Sequence, residues 1–317
     1  METYKIELPE RISAECAQKY FSESSVFFRD SLLPNYSKVV FDFSKCKTIS
    51  PVGLIYIQMW HDTLCDLGKE TFFRKGDPKT HSFLQKMKLL PSPNGVEAEV
   101  EEEFYFYSIH RCKNTQECSN AHRDIISKVL VKDSVPNETY CAIDYMLNEI
   151  WDNAGVHGYE CYSEKEYPKP VYICAQEFDS YYEVCIGDRG QGIYQSLQKN
   201  NKEVRGKNKK ESIKAAIQDG ISGHPNGSPG FGLYSTAEFI RGGNGILYIW
   251  SSGCFLKVSS KTDKIYNGAI ENGTLVSFII EKGALIPFEK TMSTHTRYSE
   301  NVASYIEEVI GGMFDEQ

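Results

Sequence analysis

Apolar and polar residues alternate over residues 4–8 (Tyr4-Lys5-Ile6-Glu7-Leu8), which predicts a strand. A stretch with helical character follows over 13–30, and Val39-Val40-Phe41-Asp42-Phe43 is a short apolar run fit for a buried strand. Ser50 precedes Pro51, an N-cap followed by proline in the first turn, so 52–67 is read as a helix. A strand at 71–73 and a helix over 80–90 complete the run. Strands alternating with helices predict a mostly parallel sheet with helical crossovers. Residues 91–103 are polar, with two prolines, a glycine and an acidic run, which places a domain boundary there. Residues 1–92 are thus expected to form one domain, and 93–135 a linker leading into the next, with Phe104-Tyr105-Phe106-Tyr107 as its first strand.

The second pattern is different. Residues 138–156 read as a long helix with Ala142, Tyr145, Met146, Ile150 and Ala154 on its buried side. Strands are expected at 171–177 and 181–186, then a long polar stretch over 194–228 holding one short helix at 212–218. A helix ends near 240 at Gly242-Gly243. Strands at 245–250 and 254–259 pair across Ser251-Ser252-Gly253, and Gly273-Thr274 opens a last strand over 275–280. Residues 136–284 are the expected second domain. The tail, 285–317, is expected to be helical, with an amphipathic segment at 302–313. The fold class expected is α/β followed by α+β.

Composition narrows the classes of function. The chain has 317 residues, 41% hydrophobic and 25% charged, enough for two domains of ordinary size. A net charge of −8 argues against broad nucleic-acid binding. No apolar run is long enough to cross a bilayer and Met1-Glu2-Thr3-Tyr4-Lys5 lacks a signal-peptide core, so a cytoplasmic location without a membrane partner is expected. Several of the ten cysteines lie in apolar strand-like runs, Cys174 and Cys185 among them, as buried reduced thiols do. His110, Cys112, Cys118 and His122 carry metal-ligand side chains, but Cys-x5-Cys is looser than zinc-site spacing. Incidental thiols are expected there, with a metal site as the alternative.

Three segments carry candidate chemistry. Glu149 and Asn153 stand four apart on one helical face, and His157 continues the row. Magnesium prefers hard oxygen ligands and takes few from protein, so the Asn153 carbonyl beside a triphosphate suits it. Glu149, one turn away, is placed to polarise an attacking water. In Gly187-Asp188-Arg189-Gly190-Gln191-Gly192-Ile193 the glycines permit a tight turn around a flat ring, and Asp188 is placed to accept from an adenine amino group. Gly227-Ser228-Pro229-Gly230-Phe231-Gly232-Leu233 opens a helix, whose free N–H groups and dipole attract anions. The lysines and Arg205 between 199 and 214 are read as a solvated run, within a stretch long enough to close over phosphates as a lid.

Taken together, residues 138–281 resemble the GHKL ATPases (gyrase, histidine kinases, MutL), which implies a Bergerat-type α/β sandwich that binds ATP and Mg2+. Glu149 and Asn153 match the N box, Asp188-Arg189-Gly190-Gln191-Gly192 the first glycine box, and Gly230-Phe231-Gly232-Leu233 the second. Gly273-Thr274 matches the terminal Gly-Thr, whose hydroxyl helps hold adenine. The run Asn153 to Glu160 is similar to the N box of anti-sigma-factor serine kinases. The resemblance implies a catalytic Glu149, Asn153 as the metal ligand, and nucleotide contacts from Asp188, Gly190, Gly192, Ile193, Gly230, Phe231, Gly232, Leu233 and Thr274. Residues 38–67 resemble the STAS domain of anti-sigma-factor antagonists. There Ser50-Pro51-Val52-Gly53 stands where phosphorylatable members carry Asp-Ser-Ser-Gly, so proline replaces the acceptor serine and Ser50 is expected to cap the helix.

Three functions are open at this stage. One is a slow ATP-hydrolysing conformational switch whose lid changes the docking of the amino-terminal module, of a protein partner or of a second copy. Another is a protein-serine kinase or anti-sigma-like regulator. The last is a nucleotide sensor without catalysis, against which Glu149 argues, because binding alone requires no general base.

Overall fold

A computed structural model describes residues 2–29, 35–90, 106–130, 135–157, 168–224 and 230–293. The expected features at 91–105, at Gly158 to Glu160, at Gly227-Ser228-Pro229 and at 302–313 lie outside the described residues.

The amino-terminal third runs β1 (Glu2–Glu7), β2 (Arg11–Ile12), α1 (Ala14–Arg29), β3 (Tyr36–Asp42), β4 (Thr48–Ile49), α2 (Pro51–Asp66), β5 (Glu70–Arg74) and α3 (Pro78–Lys86). As the alternation predicts, β1, β3 and β5 form a parallel sheet in the order β1-β3-β5, and β2 pairs with β4 in parallel. Asp77 caps α3, its carboxylate accepting from Lys79 and Thr80 N–H.

The remainder runs β6 (Phe106–Cys112), α4 (Thr115–Ile125), a π-helical turn (Ile126–Leu130), α5 (Asn137–Asp152), a second π-helical turn (Asn153–His157), β7 (Val171–Glu177) and β8 (Tyr181–Asp188). It continues with α6 (Gly192–Asn200), α7 (Lys209–Ala215), α8 (Gly232–Gly242), β9 (Ile246–Ser251), β10 (Cys254–Ser259), β11 (Lys264–Asn267), β12 (Thr274–Glu281) and α9 (Phe288–Ser293). Seven strands make an antiparallel sheet in the order β11-β10-β9-β12-β8-β7-β6. The protein is therefore mixed α/β, with two small parallel sheets and one large antiparallel one among the described residues.

Two details differ from expectation. The stretch 93–135 contributes the expected first strand, placed at Phe106–Cys112 as the edge strand β6, and also the unexpected helix α4, which Asn114 caps by accepting from Glu117 N–H. The polar stretch 194–228 is largely structured. Helix α6 follows the glycine turn directly, and α7 starts at a reciprocal cap between Asn208 and Glu211. Val204 and Leu197 bury beneath this segment, and Arg205 donates to the Gln198 and Lys199 carbonyls at the end of α6.

Strand parity explains how the layers assemble. On β8, Tyr182, Val184 and Ile186 point into the core shared with α4, α5 and α8, whereas Cys185 points the other way. On β12 the same split separates Val276, Phe278 and Ile280 from Leu275. Both faces of the large sheet are buried. The second face is covered by α2, which packs on β7, β8 and β12 while its other side meets β5 and α1. Helix α2 is thus sandwiched between two sheets, and Pro51 to Met59 are buried without interruption. A helix apolar all round suits such a place, each fully buried Leu or Ile contributing about 1.5–3 kcal/mol.

Ser50 occupies the N-cap position of α2, but its side chain caps nothing. The Glu183 carboxylate, from β8, does that work, accepting from Val52 N–H at 3.0 Å and from Ser50 Oγ at 2.9 Å. The expectation of Ser50 as the capping side chain is corrected, because the Glu183 carboxyl group from the facing sheet takes both the Val52 N–H and the Ser50 hydroxyl.

Candidate functional site

Helices α5, α6 and α8 and strands β8 and β12 enclose a pocket on the helix-bearing side of the large sheet. Glu149 and Asn153 reach it from α5 and the π-helical turn that follows. Asp188 comes from the end of β8, Gly192 and Ile193 from the start of α6, and Gly230 to Leu233 from the start of α8. Thr274 comes from the first residue of β12. Gly190 does not line the pocket; its N–H donates to Asp188 Oδ1 at 2.8 Å and so shapes the turn. Every other candidate residue named from the sequence lines this one pocket. The backbone of His157 is helical, and its side chain lies outside the described set.

Thr274 owes its place to sheet order. Strand β12, the last in the chain, inserts between β8 and β9, so Thr274 is in register with Asp188 on one side and Ser251 on the other. Asp188 is 2% exposed. Burial raises its carboxyl to about 7, against the opposing effect of N–H donation from Gly190 and N–H and hydroxyl donation from Thr274. A carboxylate so poised accepts strongly from a ligand N–H when ionised.

Glu149 lies beside the amino-terminal end of α8. A Cβ at Gly232 would collide with its carboxylate, so only glycine permits this approach. Burial raises the Glu149 carboxyl, opposed by a hydrogen bond from Tyr145, and the Asp152 charge adds to the rise. Phe231, at the N-cap of α8, has no side-chain acceptor, and the first turn holds no acid. That helix start keeps its anion-attracting character. Gly230 just before it has φ +75°, a backbone state that costs glycine little.

Sequence inspection missed several contributors. Ser251 and Ser252 Oγ accept from Ile193 N–H at 2.9 Å and Tyr194 N–H at 3.1 Å, capping α6 from the β9–β10 turn. Ser251 Oγ also lies 3.1 Å from Thr274 Oγ1. The available signal was a pair of hydroxyls at a tight turn, which is common enough to mean little alone. Ser196, Ser222 and Gly223 also line the pocket, and Ser196 Oγ and Asn200 Nδ2 both donate to the Gly223 carbonyl.

Asn153 offers one hard amide oxygen of the kind magnesium takes when a ligand's phosphates supply the rest, and the helix start, with its free N–H groups, suits the phosphate oxygens themselves. Among the described residues no group of three or more His, Cys, Asp or Glu is placed to hold a metal by itself. Cys112 and Cys118 are buried with their thiols in contact, His110 stacks on Tyr107, and His122 Nε2 lies 2.9 Å from Asp144. Among the described residues no helix is long and apolar enough to cross a membrane.

Were an adenine amino group held at Asp188, Asp188→Asn would weaken its binding about 10- to 100-fold, the worth of one hydrogen bond to a charged acceptor. Affinity in the wild type should also fall as pH drops below about 7, because protonated Asp188 accepts less well. Calorimetric titration between pH 5.5 and 8 checks both. No protein family matches the chain, and no curated protein matches it.

Proposed function

We propose that this chain binds Mg-ATP in the pocket and hydrolyses it slowly, acting as a conformational switch of the GHKL type fused to a STAS-like module. The observation that carries the reading is convergence. Segments separated by up to 125 positions, from Glu149 to Thr274, meet around one buried carboxylate. Asp188 and Thr274 read the adenine edge. Gly230 to Leu233 and the start of α8 hold phosphate oxygens. Asn153 holds the magnesium ion, which when bound neutralises phosphate charge. Glu149 takes the proton of a water held against the terminal phosphate, and positioning with electrostatic stabilisation supplies most of the rate.

Phosphotransfer to a separate protein is the second reading, favoured by the similarity of the sequence run Asn153 to Glu160 to the N box of anti-sigma serine kinases. Ser50 is a poor acceptor for it. Its hydroxyl is buried and donates to Glu183 on the sheet face opposite the pocket.

Titration of the full chain with ATP and ADP in magnesium buffer, followed by phosphate release, tests the proposal. Micromolar to millimolar binding with slow release is expected. No heat at millimolar nucleotide ends it. Label from ATP appearing on a co-purified protein, without free phosphate, replaces hydrolysis by transfer.

A further inference from the structure

Strand β8 faces two ways. Asp188 turns toward the pocket, and the residues of opposite parity, Glu183, Cys185 and Gly187, turn toward α2. At Gly187 the helix rests on bare backbone, since a Cβ there would lie 2.8 Å from Met59 Sδ and 2.9 Å from Ile55 Cγ2. Arg189 continues the same parity. Its side chain is 9% exposed, and Nη1 donates to Asp66 Oδ2 at 2.8 Å and Thr63 Oγ1 at 3.3 Å, in the last turn of α2.

The two ends of α2 are therefore matched by two residues of one β8 segment. Glu183 sits at the positive end of the helix and Arg189 at the negative end, where α2 has no basic residue of its own. The lengths agree. From Val52 to Asp66 the helix rises about 21 Å, and from Glu183 to Arg189, one residue past β8, the backbone spans about 20 Å. Helix α2 runs along β8 and is clasped at both ends.

We infer that Arg189 is a positioning residue for the nucleotide site, holding the Asp188–Gly190 turn from behind, so that α2 senses whether the turn is occupied. The inference rests on the pocket being a nucleotide site. The turn has a front attachment, Gly190 N–H to Asp188 Oδ1, and a rear one, Arg189 to Asp66 and Thr63. A ligand that holds Asp188 in the place set by the rear contact favours that contact in turn. By linkage, whatever stiffens the end of α2 raises nucleotide affinity by the same factor. This route runs through the sheet to the amino-terminal module and does not depend on a lid.

The test uses the full chain with ADP and magnesium. Arg189→Met and Asp66→Asn are each expected to raise the ADP Kd about two- to thirtyfold, and the double variant no more than the larger single change. Asp66 is half-exposed, so its substitution leaves packing intact should Arg189→Met fold poorly. Arg189→Lys should recover part of the loss. Hydrogen exchange supplies a readout that a purely structural contact would not move. ADP should slow amide exchange in the last turn of α2 in the wild type, and Asp66→Asn should abolish that slowing while α3 is unchanged. Unaltered Kd in Asp66→Asn, or α2 exchange indifferent to bound ADP, overturns the inference while leaving the nucleotide site standing. A wild-type chain that binds no ADP removes both.

Discussion

Glu149→Gln is expected to leave nucleotide affinity within a few-fold and to lower steady-state phosphate release by about two to four orders of magnitude. The amide fills the same space against Gly232, so the approach of α8 to α5 is kept. What it cannot do is accept a proton. Burial raises the carboxyl of Glu149, which makes its ionised form a stronger base than a solvated glutamate. Activity should accordingly decline toward acid pH, as that base becomes protonated. Phosphate release over a pH series, alongside calorimetric affinities, separates the base from the binding residues. Hydrolysis by the Gln variant at the wild-type rate would dismiss Glu149 as the base and leave a sensor.

Glu183→Gln should make the protein more resistant to denaturant at pH 8 than the wild type, an unusual result for a fully buried charged residue. Glu183 is 0% exposed, and burial raises its carboxyl to about 7, although Val52 N–H, Ser50 and Ser277 hydroxyls all donate to it. In the unfolded chain it titrates near 4.5. Between these values the folded state holds the extra proton, so stability falls as pH rises, and the loss is complete above about 7. The rise from 4.5 to about 7 corresponds to something on the order of 3 kcal/mol. Glutamine keeps an acceptor for Val52 and Ser50 and carries no charge, so the pH dependence between 5 and 8 should flatten. Asp42 does not confuse the comparison. Burial pushes its carboxyl up, but Lys5, Ser44 and Arg74 together hold it near 2, below that window. Urea midpoints of the two proteins at pH 5.5 and 8 provide the check, and parallel profiles would mean that Glu183 titrates in the folded protein where it does in the unfolded chain.

Asp188 follows the same sign as Glu183, from 3.8 to about 7, yet its displacement has a different use. At Asp188 the stored cost faces a pocket, and a ligand donor relieves it. At Glu183 it faces the end of a helix. Two buried carboxylates on one strand thus serve the front and back of the sheet, selected only by pleat parity.

Local signals sufficed where the chemistry is local. The alternation in residues 4–8 and the apolar run at 39–43 specify strands because a pleated ribbon buries every second side chain or both faces. The i, i+4 spacing of Glu149 and Asn153 puts both in one pocket because a helical turn brings them together. Helix α6 escaped notice because its apolar face is only Ile193 and Leu197, and its Gln198 is satisfied beyond the helix, by the Val204 and Lys207 carbonyls.

By itself, then, the sequence determined the kinds of element and the identity of the groups that gather at the pocket, since propensity, turn chemistry and periodicity act over a few residues. The tertiary structure alone decided that β12 inserts beside β8 to bring Thr274 to Asp188. It also decided that α2 is buried between two sheets, and that Glu183 and Arg189 grip its two ends. Those outcomes depend on pairings across more than eighty positions, whose energies come from shared burial and matched charge that no local window contains.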